Sequence, residues 1–154
     1  MPDQYHLLEE AVTADVTRAL QEDVGTGDLT ARLIPEGKTG TARLMTRQSG
    51  VLCGVDWFER TFDTLDPDVE IFWHHTDGDA IAANNSICEI EGNARALLTG
   101  ERTAMNFVQL LSGVATKARL YVRAVEGTRA KIVDTRKPLH GLIIAQNSEL
   151  RDCG

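Results

Sequence analysis

The sequence predicts an α+β fold. An N-terminal α/β sandwich, an antiparallel sheet covered by helices, is followed by a helical segment and then by a strand and helix of a further α/β unit. Three observations carry this. An amphipathic segment opens the chain and stops at a Gly-containing turn, short β-rich segments fill residues 40–91, and an unbroken apolar seam runs from Ala104 to Val125. The chain has 154 residues, 16 Lys+Arg against 23 Asp+Glu, and 42% hydrophobic residues. That composition fits a globular domain with a core rather than a disordered chain.

The charge is uneven. Residues 1–40 carry 3 basic and 8 acidic side chains, residues 41–92 carry 3 and 10, and residues 93–154 carry 10 and 5. An acidic protein with a basic final third is a poor general nucleic-acid binder, yet that third suits a compact anion or simply solvated helix faces. No stretch approaches the ~20 apolar residues of a membrane span, and the Met-Pro-Asp-Gln start lacks a signal-peptide pattern. The expectation is a cytoplasmic protein bound to neither membrane nor nucleic acid. Cys53, Cys88 and Cys153 show no CxxC or Cys/His ligand spacing, so buried or idle thiols are expected rather than a disulfide or zinc site.

From Gln4 to Glu22, Leu8, Val12, Val16, Ala19 and Leu20 recur at helical spacing before Asp23-Val24-Gly25-Thr26-Gly27-Asp28 breaks the pattern. The Gly25/Gly27 pair follows no strand and has acidic neighbours, so it reads as a turn rather than a phosphate loop. Thr41–Gln48, Val51–Leu52, Val69–His75 and Ser86–Ile90 read as strands. Between them, Val55, Phe58, Phe62 and Leu65 share one face of a helix over 54–65, and Asp77-Gly78-Asp79 forms a turn. Residues 77–92 also resemble biotinyl and lipoyl carriers. No Lys lies between Lys38 and Lys117 to carry the cofactor, so that reading is set aside. His74 and His75 are adjacent and point to opposite faces of a strand, which disfavours a metal pair.

Residues 93–128 read as helical. Ala104, Val108, Leu111, Ala115, Ala118, Val122 and Val125 repeat at alternating steps of four and three, with Gly113 expected to mark a kink or a break between two helices. The seam residues are mostly small, so another backbone can approach closely. Arg102, Asn106 and Gln109 form one polar stripe. By spacing alone it reads first as a solvated face and second as an Arg held for an anion. Residues 130–137 (AKIVDTRK) then read as a strand ending in charge, and residues 139–150 as a helix. One parallel strand cannot bury both faces or pair its own backbone groups.

These elements together resemble quinolinate phosphoribosyltransferase, the carboxylating nicotinate-nucleotide pyrophosphorylase family. The resemblance rests on Glu22-Asp23, Gly27-Asp28 and Thr30; on residues 100–107 (GERTAMNF) and 109–116 (QLLSGVAT); on residues 127–132 (GTRAKI); and on Asp134-Thr135-Arg136-Lys137. It implies a sandwich domain, here residues 1–128, followed by the truncated start of an α/β barrel at 129–154. It further implies a homodimer with active sites between subunits.

The implied reaction transfers phosphoribose from phosphoribosyl pyrophosphate to quinolinate, with decarboxylation to nicotinate mononucleotide in NAD biosynthesis. Mg2+ assists, and its ligands are not expected within this chain. Quinolinate is a dianion and the other substrate carries phosphate and pyrophosphate, so forked Arg donors and a positioned Lys suit the chemistry. By resemblance Arg136 binds a carboxylate, Lys137 contacts substrate and shares the catalytic role with Arg136, Thr135 stands beside them, and Arg102 reaches the partner subunit's site. Pro138 to Ile143 stands where the family continues Thr-x-Pro-Gly-Leu-Arg, and His140 aligns with no family His. The chain on its own is therefore expected to be inactive. The alternatives are a non-catalytic dimerisation or anion-binding fragment, and a related pyrophosphorylase acting on another base.

Overall fold

A computed structural model describes residues 4–25, 27 and 31–132. Helix α1 (Gln4–Val24) is followed by a 3-10 turn (Ala31–Leu33), strands β1 (Thr39–Met45) and β2 (Gly50–Val51), and helix α2 (Val55–Leu65). Strands β3 (Glu70–Trp73), β4 (Ala80–Ile81) and β5 (Ser86–Asn93) then lead into the long helix α3 (Ala94–Val125).

Strands β1, β5 and β3 form an antiparallel sheet with β5 in the middle. Register places Leu44 and Trp73 on either side of Cys88, and Ala42 and Ile71 on either side of Ile90. Side chains alternate across a pleated strand, so this set faces the helices while Arg43, Glu89 and Phe72 share the opposite face. The outer face is polar and includes an Arg43–Glu89 ion pair at 3.2 Å. The expected sheet covered on one face is thus present, but β2 and β4 separate from it as a two-stranded ladder. Ala80–Ile81 is too short for a period-2 signal, and its pairing with Gly50–Val51 is non-local.

The α2–α3 layer has a core on each side. Toward the sheet, Phe58 and Phe62 pack with Leu44, Cys88, Ile90 and Ala104. Toward α1, Trp57 packs with Val12, Val16, Val51, Leu111 and Ala115. Adjacent aromatic residues on α2 thereby serve different cores, which is why both Trp57 and Phe58 are 2% exposed. The close layers need two glycines. Gly54 caps α2 at φ 104°, where an L side chain is strained, and a Cβ at Gly100 would stand 2.8 Å from Phe62 Cε1.

Polar side chains complete the frame. The Asp77 carboxylate accepts the backbone N–H groups of Gly54 at 3.2 Å and Val55 at 3.1 Å, capping α2 from a distant turn. Asn93 caps α3 by accepting the Arg95 N–H at 2.9 Å. From α3, Ser112 Oγ accepts the Cys53 N–H at 2.9 Å and Thr116 Oγ1 accepts the Val51 N–H at 2.9 Å. These hydroxyls satisfy a strand too short to satisfy itself.

Helix α3 runs through Gly113 without a break, which corrects the expected division there. Leu111 and Ala115 are each 1% exposed, so packing on both sides of the glycine outweighs its low helix propensity. Residues 130–132 carry no strand, and the remainder of the strand expected at 130–137 and the helix expected at 139–150 lie outside the described residues. Strand β3 ends at Trp73, so His74 and His75 follow the strand instead of continuing it. Among the described residues, no helix is long and apolar enough to cross a membrane.

Candidate active-site face of helix α3

Helix α3 divides its side chains as its period dictates. Ala104, Val108, Leu111, Ala115 and Ala118 are buried, while Arg102, Asn106 and Gln109 are exposed. Gln109 lines an open groove of about 740 Å³ between α3 and the β1–β2 connection, together with Arg47 and Gln48.

Arg102 leans toward α1. Its Nη1 donates to Asp23 Oδ1 at 3.0 Å, while the buried Thr103 donates its hydroxyl to Asp23 Oδ2 at 3.3 Å. One carboxylate therefore links two adjacent α3 residues to the last turn of α1. The Asp23 side chain is 23% exposed and that of Arg102 is 77% exposed. The acid is held inward, and the guanidinium reaches out with further N–H donors to offer.

Other cations of the basic third serve the fold. Arg95 Nε donates to the Ile34 carbonyl at 2.8 Å, and Arg119 Nη2 donates to the Gly78 carbonyl at 2.8 Å. These two cations tie loops to α3, whereas Lys117, Arg123, Arg129 and Lys131 are exposed, as the solvated reading of that charge expects. Arg102 differs from Arg95 and Arg119 in the outward reach of its charged group.

Thr135, Arg136 and Lys137 lie outside the described residues, as do His140 and Cys153. Cys53 and Cys88 are buried and form no disulfide among the described residues, and burial pushes the Cys88 thiol up to about 12, so it stays protonated at neutral pH. Asp23 and Thr103 are the participants that sequence reasoning did not assign. Asp23 lies within the Glu22-Asp23 element, but no spacing rule pairs residues this far apart in the chain.

Residues 28–112 match the family model for the quinolinate phosphoribosyl transferase N-terminal domain. The chain belongs to this family. It is 38% identical over 133 residues to a probable nicotinate-nucleotide pyrophosphorylase [carboxylating] of Bacillus subtilis, a match covering 86% of this chain and 46% of that relative. A nicotinate-nucleotide pyrophosphorylase [carboxylating] of Mycobacterium leprae is 36% identical over 146 residues, covering 92% and 51% of the two chains.

Solved structures agree with this family placement. The nicotinate-nucleotide pyrophosphorylase of Francisella tularensis superposes with a TM-score of 0.91 at 38% identity, covering 95% of this chain and 52% of that one. NadC from Streptococcus pyogenes gives 0.86 at 34% identity, covering 90% and 50%. The chain spans about half the length of the curated relatives it matches. The antiparallel sheet and its helices are thus the N-terminal domain of this family, and Arg102 and Thr103 fall within the matched residues while Asp23 precedes them.

Proposed function

We propose that the protein carrying this chain is a quinolinate phosphoribosyltransferase of NAD biosynthesis. The observation that carries the proposal is Arg102, displayed on a family-matched domain with its guanidinium turned to solvent. In the proposed reaction the ring nitrogen of quinolinate bonds to the ribose C1 of phosphoribosyl pyrophosphate as the C1–oxygen bond to pyrophosphate breaks. The 2-carboxylate then leaves as CO2, and the electron pair left on the ring carbon takes up a proton. The product is nicotinate mononucleotide.

In this reading Arg102 contributes a forked, permanently charged donor to a carboxylate of quinolinate. It serves the site of a second copy, in a homodimer. Arg136 binds quinolinate from the other side, Lys137 stabilises charge on the departing pyrophosphate with Arg136, and Thr135 contacts substrate beside them. Among the described residues no group of three or more His, Cys, Asp or Glu side chains comes together. In this reading Mg2+ assists the departure of pyrophosphate, and the part played by this chain's own residues runs through their cations. A cytoplasmic location belongs to the same reading.

The test is release of CO2 from quinolinate labelled at its 2-carboxylate, in the presence of phosphoribosyl pyrophosphate and Mg2+. Release that needs both substrates and falls at least about a hundredfold in Arg102→Ala is the expected result. Efficient transfer to nicotinate, with no CO2 released from quinolinate, would overturn the assignment of the base.

A further inference from the structure

We propose that Asp23 is a positioning residue for Arg102: its carboxylate orients the guanidinium so that the remaining N–H donors meet a carboxylate of quinolinate. The inference rests on the proposal that Arg102 binds quinolinate, and it adds the residue that holds Arg102 in place.

The contacts form a chain of fixed groups. Thr103 is 3% exposed, and its hydroxyl bonds Asp23 Oδ2 at 3.3 Å. The other carboxylate oxygen takes Arg102 Nη1 at 3.0 Å. A long Arg side chain loses considerable rotamer freedom when it binds a ligand, and a contact already present in the free protein reduces that cost. A bond through Nη1 leaves Nε and Nη2 for a planar carboxylate.

Stability alone does not account for Asp23. It lies in the last turn of α1, at the negative end of the helix dipole, where an acid is unfavourable and where α1 carries no basic residue. The bridge to Arg102 is largely solvent-exposed on the Arg side, and such exposed pairs add little to stability. Helix α1 is already docked by Val12, Val16 and Leu20 against Trp57 and Leu111. The acid therefore sits where helix stability disfavours it, and among the described residues it holds the side chain proposed to reach quinolinate.

Asp23 also places negative charge near an anion site, so the sign of its effect is informative. Positioning predicts weaker quinolinate binding when the carboxylate is lost, whereas simple repulsion predicts tighter binding. The experiment is calorimetric titration of quinolinate into the wild-type protein, Asp23→Asn, Arg102→Ala and the double variant, with thermal midpoints measured alongside. Asp23→Asn is expected to weaken binding about tenfold with little change in midpoint, and to add nothing once Arg102 is gone. Thr103→Val, which leaves Asp23 in place but frees one of its oxygens, is expected to weaken binding about threefold. This second variant carries the test if Asp23→Asn unfolds.

Unchanged or tighter binding in folded Asp23→Asn, with Arg102→Ala still weakened, overturns the positioning role and leaves the proposed function intact. Additive losses in the double variant overturn it as well. If Arg102→Ala binds like wild type, Arg102 is no ligand and both proposals fail together.

Discussion

The two faces of α3 are built by different rules. The buried face carries Ala104, Val108, Leu111 and Ala115, whose identities follow from the close approach of α1, α2 and the sheet. The exposed face carries Arg102, Asn106 and Gln109, none of which the packing requires. One helix thus holds the domain together along one side and exposes a polar stripe along the other. The difference shows that burial explains why α3 exists, but not why Arg102 is on it.

Substitutions on the buried face should cost the most. Leu111→Ala removes a side chain that is 1% exposed in the core against α1. It is expected to lower stability by about 2–5 kcal/mol, read from denaturant unfolding. A loss below about 1 kcal/mol would mean that this core is loosely packed.

The hydroxyls of α3 come next. Ser112→Ala leaves the part-buried Cys53 N–H without its acceptor and should cost about 1–2 kcal/mol in the same measurement. Cys88, on the covered face of the sheet, couples the packing to pH. Burial pushes its thiol from 9.0 up to about 12. The native state therefore keeps a proton that the unfolded chain has released. Below pH 9 the group adds no pH dependence, and its contribution to stability falls as pH rises from 9 towards 12. Cys88→Ala should flatten that fall, and native Cys88 should resist alkylation at pH 8.

The smallest effect on stability belongs to the exposed face. Arg102→Ala should change unfolding free energy by no more than about 0.5–1 kcal/mol, because its bridge to Asp23 is solvent-exposed on the Arg side. A large loss of stability there would erase the distinction between the two faces.

Legibility in the sequence follows the same division. The seam of α3 and the buried face of α2 are local periodic signals, and each element appears within a few residues of its expected place. The β2–β4 ladder and the Asp77 cap join segments that are separated in the chain and individually too short to announce themselves. Gly113 misled because propensity predicts a break where Leu111 and Ala115 are pinned on either side. In the candidate site, the resemblance singled out Arg102 while spacing favoured a solvated face. Asp23 and Thr103 required the folded contact between α1 and α3.

The proposed service of Arg102 to the active site of a second copy is tested directly in mixed dimers. One preparation carries Arg102→Ala and the other Arg136→Ala, each inactive alone in CO2 release from quinolinate. After mixing and exchange of subunits, a hybrid dimer has one site with both arginines intact if Arg102 acts across the interface. Random pairing should then recover about a quarter of wild-type activity. If the mixture remains as inactive as its parents while hybrid dimers are shown to form, Arg102 does not serve a second copy.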